Sequence, residues 1–353
     1  MNRWFLLLFF CINFLFAQQK EYVDFKTGTA NLYFKPLKKE VTGTINYTFK
    51  ILRNTDSIYI DAKNFSAIKY VFNKKKYNTY NGEHIIIKNS FIEGETYQVD
   101  IEFMTKPKKA LYFIDWEYEQ GNKQIWTQGQ GKYTSNWLPS IDDVNDKIKF
   151  DLNITFNNAY QVISNGKLVK KEFNKQNMTW RYKMLKPMSS YLLAVVIGKY
   201  KKQVAYSKSR IPLEMYYLPK DTLKFETTYR YTKQIFDFFE TEIGVNYPWQ
   251  NYKQVPVKDF LYAGMENTSL TIFSDAYMVN KNAFEDRNYI NVNAHELAHQ
   301  WFGDLVTETS GTHHWLQEGF ATYYALLAER HIYGDTHYYW QLYNYAQELL
   351  EQD

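Results

Sequence analysis

The sequence predicts a chain of two unlike parts, an all-β, sandwich-like N-terminal region followed by an α+β region. Three observations predict it. From residue 18 to about 205, apolar and polar residues alternate with a period of two between turn signals. Near residue 220 the apolar period lengthens to that of a helix. And 353 residues exceed what one hydrophobic core ordinarily serves.

The first 17 residues stand apart. Asn2 and Arg3 form a short polar, positive start, and residues 4–16 are an apolar run of 13. That is short of the roughly 20 residues that span a bilayer. Ala17 then offers a small residue before polar Gln18. This is the pattern of a cleavable signal peptide over 1–17, and it predicts export to the periplasm or the extracellular medium, with no stable membrane insertion after cleavage. The competing reading, a membrane anchor, needs a longer run. Cys11, the one cysteine, lies inside this segment, so the mature chain is expected to hold no disulfide and no thiolate metal site.

Strand signals follow over residues 41–52, 57–62, 67–72, 97–104, 148–156 and 178–185, with Asn81-Gly82 and Asn165-Gly166 as turns. These define an N-terminal β domain over 18–204. Residues 227–243 then repeat apolar side chains at helical spacing (Tyr231, Ile235, Phe238, Phe239), and Gly244 is a stop signal. Segments 252–260 and 268–274 return to strand character, and 288–302 and 316–333 read as helices. A second domain is therefore expected over 205–353. The net charge of +4 is spread along the chain, with no basic stripe, which argues against nucleic acid as a partner.

Residues 295–299 read His-Glu-Leu-Ala-His. Two histidines at i and i+4 share one helix face, so both imidazoles can bind one cation. Glu296 is angled toward a water beside that cation rather than toward the cation itself. The alternative, a surface helix with two solvated histidines, fits poorly. Ala294, Leu297, Ala298, Trp301 and Phe302 flank the motif with apolar side chains, and six of the seven histidines fall between 295 and 337. Glu318, with 18 residues between it and His299, opens another helical stretch. Two histidines and one glutamate leave a fourth position open, the pattern of a catalytic rather than a structural zinc site. The expected cofactor is one Zn2+ per chain, held by His295, His299 and Glu318, with Glu296 as general base toward a peptide bond. His313 and His314 read as a solvated loop pair sooner than as extra ligands or cleft residues, and His84 as unremarkable.

With these residues in place, the sequence resembles the gluzincin zinc aminopeptidases, the family of aminopeptidase N-like and leukotriene hydrolase-like enzymes. The likeness rests on His-Glu-Leu-Ala-His, Glu318 downstream, and Ala263-Gly264-Met265-Glu266-Asn267 upstream. Ala263 departs from the family's usual Gly-Ala or Gly-Gly opening, in which the first position is glycine. Trp126-Thr127-Gln128-Gly129-Gln130, Pro187-Met188-Ser189-Ser190-Tyr191-Leu192 and Tyr247-Pro248-Trp249 are further matches, so the likeness runs from about residue 25 onward.

The resemblance implies a thermolysin-like zincin fold for the second domain, and peptides with a free N-terminus as substrates. It implies that Glu266 binds the substrate's α-amine, with Gln130 reaching the same amine, and that Ala263, Gly264, Met265 and Asn267 form a cleft segment along the substrate backbone. Leu261 and Tyr262 hint at an apolar first pocket. The family also has an oxyanion-binding tyrosine farther beyond the third ligand than the 35 residues found here. Tyr338, Tyr339, Tyr343 and Tyr345 do not stand at its distance, so the resemblance implies an incomplete catalytic domain and a chain truncated at its C-terminus. An aminopeptidase is the leading expectation. A thermolysin-like endopeptidase, a truncated chain that binds peptide or zinc without turnover, and a β-sandwich binding module stay open. Oligomeric state and residue preference are not readable.

Overall fold

The structure, a computed structural model, describes residues 19–352. The expected signal peptide and Cys11 lie outside them. The N-terminal half is built on an eight-stranded sheet. Its strand order is Lys167–Asn174, Asn177–Lys183, Lys149–Asn157, Val23–Lys35, Glu40–Ile51, Thr96–Thr105, Ala67–Phe72, Lys75–Tyr77. The two-residue period explains its core. Ile45 and Tyr47 of Glu40–Ile51 lie opposite Ile101 and Val99 on one neighbour, and Ile45 lies opposite Ala30 on the other. All five are buried, so a slip of one residue would turn each of them to solvent.

The strand Val23–Lys35 was not among the expected ones. Its period breaks at a register shift between Phe25 and Thr27, and Gly28 interrupts its apolar positions. That glycine makes room for a ring, since a Cβ there would stand 2.9 Å from the Tyr47 side chain. A two-stranded pair, Thr55–Asp61 with His84–Phe91, closes over the same core through Ile58, Ile60, Ile85 and Ile87.

A four-stranded sheet joins the two halves. Its order is Gln161–Ser164, Val195–Gly198, Gln124–Thr127, Leu111–Ile114. Alternate residues face different partners. Ile125, Val162, Val195 and Ile197 join the core of the large sheet. Trp126, Ile163 and Val196 pack with Val255, Val257, Leu270 and Ile272 of the C-terminal half. A sheet buried on both faces reads as a continuous apolar run rather than as alternation. Asn165 spans the junction, its Nδ2 donating to the Thr268 carbonyl at 2.7 Å.

The C-terminal half opens with a five-stranded sheet of order Lys201–Tyr206, Pro212–Tyr217, Tyr252–Val257, Leu270–Ser274, Gly264–Met265. The boundary expected at 204/205 falls inside the first of these strands. That strand pairs antiparallel with Pro212–Tyr217. The helix expected over 227–243 divides into α1, Phe225–Tyr229, and α2, Thr232–Ile243, which ends at Gly244 in the left-handed conformation (φ 71°). Three more helices follow: α3, Ile290–Ala298; α4, His314–Tyr333; and α5, Asp335–Gln352. Among the described residues, no helix is long and apolar enough to cross a membrane.

Candidate active site

Helix α3 carries His295 and Glu296 and is capped by His299, and α4 carries Glu318. The ring nitrogens His295 Nε2 and His299 Nε2 are 3.0 Å apart. Glu318 Oε2 lies 3.2 Å from the first and 3.6 Å from the second. Three donors on one face of a tetrahedral zinc, each about 2.0–2.1 Å from it, stand about 3.3 Å from one another. The observed triangle therefore has the size that such an ion requires, and among the described residues these three form the one group of its kind. His299 Nδ1 lies 2.9 Å from the Phe302 carbonyl, which can only accept. In the neutral ring the proton thus sits on Nδ1, and Nε2 presents its lone pair to a cation.

The charges around this triangle favour a cation as well. Glu266, Glu296 and Glu318 line one cavity of about 310 Å³ with the two histidines, Gln130, Tyr262, Ala263, Gly264, Asn291 and Val292. Burial raises the Glu296 carboxyl well above the usual carboxylate range; His299 draws it down, and Glu266 and Glu318 push it further up. Burial opposes a charge on His299, yet Glu266, Glu318 and Glu296 together push its pKa up to about 10. Burial also acts to raise Glu318, but the neighbouring His295, His299 and His314 outweigh it and hold that carboxyl far below the ordinary range.

Glu296 is almost fully buried and packs over Gly264, where a Cβ would stand 2.3 Å from Glu296 Oε1. Glycine at 264 is therefore what lets the carboxylate lie against the backbone. Gly264–Met265 is the edge strand of its sheet, with Gly264 opposite Phe273. Ala263 precedes it, its carbonyl accepting from the Ser274 amide at 3.0 Å. Met265 and Asn267 of the same segment do not line the cavity. Met265 is buried against Gln128, whose Nε2 lies 3.5 Å from its sulfur, and Asn267 donates to the Leu192 carbonyl at 3.2 Å. Glu266 is buried, and Tyr191 donates to its Oε1 at 3.4 Å. Gln300 Nε2 fixes the Glu266 carbonyl at 3.1 Å. Tyr262 lines the cavity mouth, whereas Leu261 does not. Nor do Tyr338, Tyr339, Tyr343 and Tyr345.

The structure draws further residues into the site. His313 is exposed, but His314 reaches into the site. Its Nε2 lies 3.1 Å from Glu318 Oε1 and 3.0 Å from Gln130 Nε2, and its Nδ1 lies 3.4 Å from Glu308 Oε1. Hydrogen bonds to Glu308 and Glu318 push its pKa up to about 10. Gln317 Nε2 donates to the Tyr191 hydroxyl at 3.2 Å, so a chain of polar contacts runs from Glu318's helix to Glu266. The sequence signal for His314 was its i, i+4 spacing to Glu318.

Comparison with known proteins bears on the same residues. Residues 22–192 match the Peptidase M1 N-terminal domain, and residues 227–353 match the Peptidase family M1 domain. The chain is 29% identical to aminopeptidase N of Rattus norvegicus over 69% of its own length and 27% of that protein's. It is 31% identical to glutamyl aminopeptidase of Homo sapiens over 61% of its length and 22% of that protein's. With leucine aminopeptidase 2 of Lodderomyces elongisporus it shares 27% identity over 81% of its length and 44% of that protein's. The chain thus matches less than half the length of each of these relatives.

Proposed function

From the premise that this chain belongs to peptidase family M1, we propose that it is a zinc-dependent aminopeptidase that hydrolyses the first peptide bond of unblocked peptides. The observation that carries the reading is the placement of a buried carboxylate, Glu266, in the same cavity as the triangle of His295, His299 and Glu318. An acid there pairs with a substrate ammonium and sets the first peptide bond at the triangle. Gln130 contributes an uncharged hydrogen bond at the same end. The edge strand at Gly264 offers backbone groups to an extended substrate.

Zinc held by the three ligands would supply Lewis acidity toward the scissile carbonyl and an acidic water. Glu296 takes the proton of the attacking water and returns it to the leaving amine. A dication held at the histidines would draw this carboxyl, raised by burial, back toward ionisation. The N-terminal segment supports export as a further part of the proposal, and the mass of the secreted chain's N-terminus checks cleavage after Ala17.

The test is release of a chromophore from unblocked alanine and leucine anilides, with and without a chelator, beside the N-acetylated substrates. Chelator-sensitive cleavage of the unblocked substrates alone is the expected result. Equal cleavage of the acetylated substrates would replace this reading with an endopeptidase. One bound zinc without turnover would replace it with a peptide- or metal-binding chain.

A further inference from the structure

Glu318 points its two oxygens at different groups. Oε2 faces the histidine pair, 3.2 Å from His295 Nε2 and 3.6 Å from His299 Nε2. Oε1 lies 3.1 Å from His314 Nε2. His314 stands one turn earlier on α4, so the two side chains meet on one helix face. The far side of the ring is tied down in turn. Nδ1 lies 3.1 Å from Gln317 Nε2 and 3.4 Å from Glu308 Oε1. Glu308 is buried, and its Oε2 has no hydrogen-bond partner among the described residues, so this acid is not satisfied elsewhere. The ring is thus clamped between a buried carboxylate and the outer oxygen of the third ligand.

We propose that His314 is a positioning residue that confines Glu318 to ligation through one oxygen, keeping the fourth position of the metal open. The inference rests on the metallopeptidase reading above. A carboxylate can give a cation one oxygen or both. In a site of three protein ligands, a second carboxylate oxygen would enter the position that water and substrate need. With Oε1 held by His314, that swing breaks a charge-assisted hydrogen bond. Partners of this outer kind commonly change metal affinity or activity by about 10–100-fold when removed. The same ring nitrogen lies 3.0 Å from Gln130 on the cavity wall, so the residue that orients the ligand also abuts the amine end of the site.

The experiment uses the purified protein loaded with Co(II), whose visible absorption reports coordination number, together with chelator competition for the bound metal. Wild type, His314→Leu and His314→Gln are compared, with circular dichroism confirming the fold. The wild type is expected to bind one Co(II) with intense four-coordinate bands. In His314→Leu the bands weaken and shift as coordination rises, and the metal dissociation constant rises about tenfold or more. His314→Gln, whose amide still reaches Glu318, restores most of the spectrum. A purely structural role would lower stability and leave the bands of bound Co(II) unchanged. An unchanged spectrum in folded His314→Leu overturns the inference. Were that variant not to fold, His314→Asn, polar but too short to reach Glu318, is read by the same two outcomes. A wild-type chain that binds no Co(II) overturns the metal reading itself, which is a different result.

Discussion

The two helices that meet at the site are held in opposite ways. On α3, Ala294, Leu297 and Ala298 are fully buried, and Glu296 and His299 nearly so. On α4, Gln317 is buried, but other residues near Glu318 are open: Trp315 is 68% exposed, Leu316 43% and Phe320 44%. Helix α4 buries Gln317, Ala321, Ala325, Leu326 and Ala328, and the three alanines let it approach closely but supply little apolar area. Phe302, just beyond α3, stacks on Phe320 and Tyr324 at 4.9 Å each. Packing therefore fixes the histidine pair, whereas Glu318 is held more by polar contacts, at 3.2 Å with His295 and 3.1 Å with His314. The difference teaches that one site can draw rigidity from two sources, and these fail under different substitutions.

The largest expected effect leaves both sources intact. Glu296→Gln keeps the volume and the contact with Gly264 but removes the base. Turnover of an unblocked substrate should fall by about 10²–10⁴-fold with zinc content unchanged. Turnover within a few fold of wild type would exclude Glu296 as the base. Next comes the packing of α3. Leu297→Ala removes a fully buried side chain, and urea unfolding should show a loss of about 2–5 kcal/mol. A loss below about 1 kcal/mol would mean that burial does not hold the histidine helix.

A smaller effect lies at the strap below α3. Lys147 donates to the carbonyls of Asp304 and Leu305, both at 2.9 Å, and its neighbour Asp146 is buried with Oδ1 accepting from the Phe25 amide at 3.2 Å. Burial pushes the Asp146 carboxyl up to about 8, against about 3.9 in an unfolded chain. Between these values the folded state holds a proton that the unfolded state has released. Stability should therefore fall as pH rises from about 4 to about 8, by at most about 1.4 kcal/mol per pH unit from this group. Asp146→Asn should flatten that window in unfolding curves taken at pH 5 and pH 7. A slope that persists in the variant would assign it to other groups.

The same contrast marks what could be read from the sequence. Periodicity reports packing, so the strands at 41–52 and 97–104 and the buried face of α3 were legible, and fixed i, i+4 spacing brought His295 and His299 together. Glu318 was legible because one short segment carries it back to the pair. The polar network was not. Gln130 meets His314 across 184 positions, and Tyr191 meets Gln317 across 126, distances over which no local pattern operates. His314 looked like a solvated loop residue because its partner Glu308 is buried by tertiary structure alone. The bulge after Phe25 hid a 13-residue strand for the related reason that it breaks the period. Asp335–Gln352 was not among the expected helices, and in the structure α5 buries none of its residues.

That last helix supplies the smallest expected effect and the sharpest control on the comparison. Leu349 is 63% exposed on α5, so it loses little contact with water when the chain folds. Leu349→Ala should change the unfolding free energy by no more than about 0.5 kcal/mol, the range of surface substitutions. The same chemical change at Leu297, inside the core, is expected to cost several times as much. Measured side by side in urea, the pair isolates burial from residue type. If Leu349→Ala instead cost about 2 kcal/mol or more, the exposed face of α5 would have to be covered in solution, and the cost would then depend on protein concentration if a second copy did the covering. Equal costs at the two positions would break the distinction drawn between the helices, because burial would no longer separate them.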